Sequence, residues 1–299
     1  MSTAIPSSTG RAGRVAHARR ASALARTGYH VIRGALPAML IEALGRDLDP
    51  VFAATPFGTG GFYGASTKRF GRLLIRSPHA AALVQHPEVL AIVQRLLGPW
   101  CERIQLNTTQ AIAVHPGAPA QLPHRDQDMW RGPVGTIEYL VNVMWPLTAF
   151  TADNGATRIW PHSHGKAALA GEPGIEPVAP ALAPGDALLF LGSTLHGAGA
   201  NRTPAERRGI IVGYALGWLK PYENQWLAYP PAVARSFPPA LAALVGYCQH
   251  RPNLGNFEGQ CPSVLFDGRP ETPRGAIDAL RPDQERLVEA HLRREQGPA

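Results

Sequence analysis

The stretch Ile104-Gln-Leu-Asn-Thr-Thr-Gln-Ala-Ile-Ala-Val114 alternates, with Ile104, Leu106, Thr108, Gln110, Ile112 and Val114 on one side and Gln105, Asn107, Thr109, Ala111 and Ala113 on the other. A period of two is the pattern of a β-strand with two unlike faces. Further runs of strand character cover 136–145, 157–160, 187–191 and 207–218, and an earlier one covers 29–33. Turn residues separate them: His115-Pro-Gly117, Asp153-Asn-Gly155 and Pro184-Gly-Asp186. About six short strands joined by Gly/Pro turns predict a mainly β protein, a jelly roll of the cupin type with helices packed outside.

The helices flank this block. Residues 37–48 space Ala38, Leu40, Ile41, Leu44 and Leu48 as an apolar stripe, and 80–97 reads as a helix that Pro87 breaks in two. Beyond Pro221 the chain is Pro-rich and irregular, with helical pieces at 239–247 and 283–294, and reads as a wrapping or lid segment. No repeat and no clear linker divides it. One domain is expected over 26–299, with its core at 29–219 and a C-terminal segment at 220–299.

Composition narrows the function classes. The charged fraction is 17%, the hydrophobic fraction 45%, and the formal net charge +7. Residues 1–41 hold six Arg and no acid, so the remainder carries only +7 − 6 = +1. The positive charge therefore belongs to an end of the chain, which is expected to be a disordered basic tail over 1–25. No aromatic-interleaved basic patch follows it, which argues against nucleic-acid binding. The longest apolar run, Gly209 to Trp218, falls well short of the roughly 18 residues of a membrane span. A soluble protein that does not enter membranes is expected. Three cysteines, 101, 248 and 261, form no C-x-x-C pair and suit a reducing cytoplasm. Nothing in the sequence bears on oligomeric state.

His124-Arg-Asp126 places an imidazole and a carboxylate two residues apart, so on a strand both point to one face. With 11 His and 22 acidic residues in 299, such a triplet arises by chance about once, so the motif alone is weak. His196, following the strand at 187–191, supplies a second imidazole at the lip of the barrel. Two His and one carboxylate form a facial triad that suits non-haem iron(II), because three coordination positions stay open. Arg207 opens a strand whose same-face neighbours are Gly209, Ile211, Gly213, Ala215 and Gly217. Small residues beside a guanidinium suit a bound dicarboxylate gripped through two parallel hydrogen bonds. Strand parity sends Arg208 to the opposite, solvated face.

Taken together, Gln121-Leu-Pro-His124-Arg-Asp126-Gln-Asp128, Asp153-Asn-Gly-Ala-Thr-Arg158 with Pro161-His-Ser-His164, Pro184-Gly-Asp186, and the spacing from His196 through Asn201 to Arg207 resemble the phytanoyl-CoA dioxygenase superfamily. The resemblance covers roughly 29–219. It implies a double-stranded β-helix, iron(II), 2-oxoglutarate as co-substrate and O2. Position by position it implies His124, Asp126 and His196 as metal ligands and Arg207 as the anchor of the distal carboxylate. It further implies Gln121, Thr157 and Trp145 as lining of the co-substrate pocket, with Asn201 beside the active site. His162 stands where relatives usually have Gly. Relatives that halogenate lack the carboxylate, so the presence of Asp126 implies hydroxylation or desaturation of a small molecule. The segment from Tyr222 to Tyr247 resembles that of members acting on natural products.

Other residues are assigned more plainly. His162 and His164 read as a polar turn rather than a second metal site, and His79, His86, His115 and His250 lack a partner at ligand spacing. Trp130, Trp218, Trp226 and Tyr63 are candidate walls of an apolar substrate pocket or packing residues. Two alternatives stay open on the residues alone: a non-oxidative cupin-like zinc isomerase or hydrolase, and a metal-free binding scaffold.

Overall fold

The break that Pro87 predicts separates two helices in the computed structural model, which describes residues 10–133, 135–169, 174–268 and 272–295. The chain opens with α1 (Arg11–Thr27), β1 (Tyr29–Ile32), α2 (Ala38–Ala54), β2 (Thr67–Phe70), α3 (Leu73–Arg76), α4 (Ala80–Val84) and α5 (Pro87–Leu97). Pro87 opens α5, where its missing N–H has no helical partner to lose, and His86 caps the helix by accepting from Val89 N. The stripe of α2 buries Ile41, Leu44 and Leu48 as expected, and adds Phe52 beyond the anticipated end.

The basic N-terminal stretch is not a disordered tail over its described part. It forms α1, which packs on α5, buries Ala21 and Leu24, and pairs Arg20 with Glu88. Gly28 ends the helix at φ +86, with its N–H on Leu24 O at 2.8 Å, and a Cβ there would lie 2.6 Å from Thr194 Oγ1. The 161–164 turn docks on the same helix end. His162 N donates to Thr27 O at 2.9 Å, His162 Nδ1 to Arg26 O at 3.0 Å, and His164 Nε2 to Ala25 O at 2.8 Å. These two histidines therefore serve packing, not a second metal. Composition hid α1 because its stability comes from docking rather than from an apolar stripe of its own. Residues 1–9 of the expected tail lie outside the described residues.

Next come β3 (Ile104–Val114), β4 (Leu140–Pro146), β5 (Thr157–Ile159), α6 (Gly165–Leu169), β6 (Ala187–Leu191), β7 (His196–Ala198) and β8 (Arg207–Leu216). The larger sheet has the order β1-β6-β4-β8-β3-β2, with every pairing antiparallel, and the smaller one pairs β5 with β7. Isolated bridges His124↔His196, Ile159↔Val178 and Phe150↔Leu182 prolong the smaller sheet. Two antiparallel sheets closed on each other give the expected double-stranded β-helix, with helices outside.

Parity along the strands divides two cores. Val141, Val143 and Trp145 of β4 and Ile210, Val212 and Tyr214 of β8 face the helices, whereas Met144 of β4 and Leu188 and Phe190 of β6 face the space between the sheets. β3 departs from the simple alternation. Its register against β8 shifts between Leu106 and Thr108, so Asn107 is an extra residue. Ile104 and Leu106 thus join the core under the helices while Ile112 and Val114 join the core between the sheets. A bulge swaps faces in mid-strand, and it delivers Asn107 to the interior.

The C-terminal segment adds α7 (Gln225–Ala228), α8 (Pro231–Ala234), α9 (Pro239–Leu244) and α10 (Pro282–Glu295). α10 buries none of its residues, whereas Tyr229, Leu241 and Tyr247 join the core. The segment wraps the barrel, and Tyr222 is its one described residue that lines the main cavity.

Candidate active site

His124 and His196 are brought side by side by backbone pairing. His124 N donates to His196 O at 2.9 Å and His196 N to His124 O at 3.0 Å, which sets the two rings 4.4 Å apart. Each imidazole then places Nδ1 against a carbonyl two residues back, His124 on Leu122 O at 2.9 Å and His196 on Thr194 O at 3.0 Å. A carbonyl only accepts, so both Nδ1 atoms carry the proton and both Nε2 lone pairs are free for a metal.

Asp126 arrives differently from the strand-parity expectation. It opens a 3-10 turn, Asp126–Met129, just after the bridge residue His124. Buried Gln127 pins that turn: its N donates to Gly192 O at 2.9 Å, its Nε2 to Ile137 O at 3.1 Å, and its Oε1 accepts from Tyr139 N at 3.2 Å. Asn142 donates to Asp126 Oδ2 at 2.7 Å and leaves Oδ1 turned toward His124. His124 Nε2 lies 3.4 Å from Oδ1 and His196 Nε2 3.6 Å from Oδ2. One ligand atom from each of the three residues falls within 4.8 Å of the others. Such a spread suits a single ion with bonds of about 2.1 Å.

Electrostatics agree with that use at Asp126 and His196, while the Asp126 contact makes His124 the more basic ring. Burial works to raise the pKa of Asp126, but the neighbouring imidazoles and the Asn142 hydrogen bond outweigh it and hold the carboxyl ionised. Burial likewise works to lower His124, and its contact with Asp126 outweighs that and raises it. For His196, burial prevails and favours the neutral ring.

These groups line one wall of a cavity of about 410 Å³ between the sheets. Arg207 lines the same cavity, 2% exposed, with its guanidinium 4.3 Å from the centre of the Phe150 ring. One terminal nitrogen donates to Gly155 O, while Nε and Nη1 have no partner. Burial, aided by the nearby Arg69 charge, pulls its pKa down to about 9. A buried cation with unmet donors calls for an anion, because an isolated charge in such a place is strongly disfavoured. The empty volume does not come from the glycines beside Arg207, as their small size suggested. A Cβ at Gly209 would meet Phe150 at 2.7 Å, and one at Gly213 would meet Asn142 at 3.1 Å. Those glycines admit neighbouring side chains instead. Arg208 does face away, but it pairs with Asp49 and Glu206 over the Phe52 ring rather than standing in solvent.

Gln121 and Thr157 line the cavity, and Gln121 is tied in by accepting from Ala198 N at 3.3 Å. Trp145 does not. It is fully buried under the helices, 5.5 Å from the His86 ring, because β4 turns Asn142 and Met144 inward and its odd-numbered neighbours outward. Asn201 is also absent from the lining. It donates to Val114 O and Ala205 O, each at 2.8 Å, and so fixes the loop that leads into Arg207. Of the proposed aromatic walls, Tyr63 borders the cavity, while Trp130, Trp218 and Trp226 donate to the carbonyls of Lys220, Trp100 and Gly246 outside it.

Among the lining residues that escaped the sequence reading are Arg69, Asn107, Asn142 and Met129. Asn142 carried a usable signal, a lone amide in the apolar run Leu140-Val-Asn-Val-Met-Trp145. Arg69 carried none. It is half-buried, donates to Gln110 Oε1 at 3.2 Å, and its Nε lacks a partner.

Comparison with known proteins gives the same picture. A family model described as phytanoyl-CoA dioxygenase matches residues 24–209. The dioxygenase aneA of Aspergillus aculeatus is 30% identical over 254 residues, 78% of this chain and 84% of its own length. The epimerase SnoN from nogalamycin biosynthesis, solved with Fe3+, alpha ketoglutarate and nogalamycin RO, superposes with a TM-score of 0.57 at 22% identity, covering 68% of this chain and 85% of SnoN. HygX from Streptomyces hygroscopicus, solved with nickel, 2-oxoglutarate and hygromycin B, gives 0.54 at 16% identity, covering 69% of this chain and 89% of HygX. At these identities the two structures attest the fold.

Proposed function

The chain belongs to the phytanoyl-CoA dioxygenase family and is a 2-oxoglutarate-dependent non-haem iron dioxygenase; from that premise we propose that His124, Asp126 and His196 hold the ferrous ion and that Arg207 anchors 2-oxoglutarate. The observation that carries this reading is the pairing of a compact His2Asp cluster with a buried, unsatisfied guanidinium in one cavity. The donor set is right for iron(II), and Arg207 in the same cavity offers the charge that a second carboxylate needs.

The ion and co-substrate, once bound, supply the oxidising chemistry from O2 as 2-oxoglutarate is converted to succinate and CO2. The protein supplies position. Leu122 O and Thr194 O hold the two imidazoles in the metal-binding tautomer, and Asn142 keeps Asp126 from swinging between its neighbours. Arg207, clamped by Gly155 O and Phe150, fixes the distance from the metal wall at which the distal carboxylate rests. Thr157 and Gln121 add polar groups to the lining of the same cavity. Because Asp126 fills a coordination position, hydroxylation or desaturation of a C–H bond is the expected outcome, on a small organic molecule of the natural-product kind.

Among the described residues no helix is long and apolar enough to cross a membrane, and all three cysteines are free. On the grounds of composition, we propose action in the cytoplasm on a diffusible substrate, with no nucleic-acid or membrane partner. Anaerobic addition of iron(II) and 2-oxoglutarate should produce a weak visible charge-transfer band, and admitting O2 should release succinate. A fully iron-loaded protein that gives neither result would favour the non-oxidative zinc reading.

A further inference from the structure

Two tyrosines 159 residues apart join their hydroxyls at the edge of the cavity. Tyr63 comes from the loop between α2 and β2, Tyr222 from the start of the C-terminal segment, and each is hydrogen-bonded to the other through its hydroxyl. Neither is placed by chance contact. Tyr222 N donates to Oδ1 of Asn107, the bulge residue of β3, at 2.8 Å, and Thr67 Oγ1 donates to Tyr63 O at 2.5 Å. Their rings remain 40% and 44% exposed, and Phe62 beside them sets its ring 4.8 Å from that of the metal-ligand candidate His124. An apolar aromatic rim thus adjoins the metal wall and carries one polar point.

The chemistry of that point follows from counting protons. Two phenols bring two O–H groups, and the bond between them uses one. The second O–H is left over, and it is strengthened because its oxygen already accepts. Burial and the Tyr63 contact drive the pKa of Tyr222 far up, so its hydroxyl stays protonated and acts as a donor, not a base. The Arg69 guanidinium, 5.4 Å from the centre of the Tyr63 ring, adds positive potential on the same side. A spare O–H selects an acceptor oxygen and gains nothing from an ammonium group, which can only donate.

We propose that the Tyr63–Tyr222 hydroxyl pair is a substrate-binding point that takes the carbonyl or hydroxyl oxygen of an otherwise apolar, uncharged ring compound. Resting on the dioxygenase reading, the pair also decides which C–H bond of that compound faces the metal site. The two aromatic faces hold the ring skeleton by apolar contact, and the hydroxyl pair fixes its rotation.

The test is equilibrium dialysis of three probes, tetralone, tetralin and aminotetralin, against protein loaded with zinc(II) and 2-oxoglutarate, where no oxidation occurs. Tetralone should bind roughly threefold to tenfold more tightly than tetralin, the range set by one hydrogen bond, and aminotetralin should bind most weakly. Either single Phe variant keeps one free O–H, so the double variant Tyr63→Phe with Tyr222→Phe should bring the ketone and the hydrocarbon to near parity while leaving tetralin affinity in place. The proposal is overturned if the wild-type protein shows no preference for the ketone, binds none of the probes, prefers the amine, or keeps its preference in the double variant. Dialysis needs no turnover, so these outcomes are independent of the charge-transfer test of the dioxygenase reading.

Discussion

Asn142 Nδ2 donates to Asp126 Oδ2 at 2.7 Å, joining the central strand of the larger sheet to a carboxylate carried by a loop turn. The turn alone would leave the carboxylate free to rotate, and the strand removes that freedom. Asn142→Leu keeps the shape and deletes the donor. Ferrous affinity should fall about 10- to 100-fold, the usual effect of losing a partner that orients a ligand. Anaerobic metal titration measures it, and an unchanged dissociation constant would show that Asp126 is held by other means.

Arg207 is buried with two nitrogens unpartnered, so in the ligand-free protein it is a source of instability. Arg207→Met should raise the KM for 2-oxoglutarate by roughly 30-fold or more, as loss of about 2 kcal/mol or more of charge-assisted bonding implies. The same variant, without ligand, should melt no lower than the wild type, because an uncompensated cation has been replaced by an apolar chain. A lowered Tm together with an unchanged KM would remove Arg207 from the co-substrate site.

Trp145 separates packing from chemistry. Trp145→Ala should destabilise the fold by about 3–5 kcal/mol in denaturant unfolding, since it empties a fully buried site. Trp145→Phe should fold and leave the KM for 2-oxoglutarate within about twofold of the wild type. A large KM change in the Phe variant would return Trp145 to the pocket.

Asp186 supplies an acid-sensitive element far from the metal. It accepts from Arg33 Nη1 at 2.6 Å, Gly34 N at 2.9 Å and Ala183 N at 2.9 Å, tying the turn before β6 to the end of β1. Burial works to raise its pKa, but these hydrogen bonds and the Arg33 charge outweigh it and lower it from 3.8. A carboxyl depressed in the fold stabilises above its unfolded value, and that stability is lost as pH falls below about 3.8 through the folded one. Asp186→Asn should weaken the protein by about 1–3 kcal/mol at neutral pH and flatten this part of the acid-unfolding curve. An identical acid limb in the variant would show that other carboxyls set it.

Local rules wrote much of the fold into the sequence. Strand-like runs bounded by turn residues located β6 at Ala187–Leu191 and the start of β8 at Arg207, and Pro87 marked the boundary between α4 and α5. They failed where a contact with a distant segment decides the outcome. α1 is helical because Leu24 finds the surface of α5 and because the 161–164 turn closes on its last carbonyls. The alternation of β3 reverses at Asn107 because β8, not β3, sets the register there. Neither fact is visible in the residues concerned.

The site divides the same way. Residue type determined which groups can bind a metal and a dicarboxylate, so His124, Asp126, His196 and Arg207 were recognisable from chemistry and spacing. Tertiary structure alone decided that Trp145 faces the helices, that Asn142 steadies Asp126, and that Tyr63 meets Tyr222. The physical reason is that ligand chemistry belongs to the side chain itself. Orientation within a closed barrel belongs to strand register and turn geometry, which are fixed by partners many residues away.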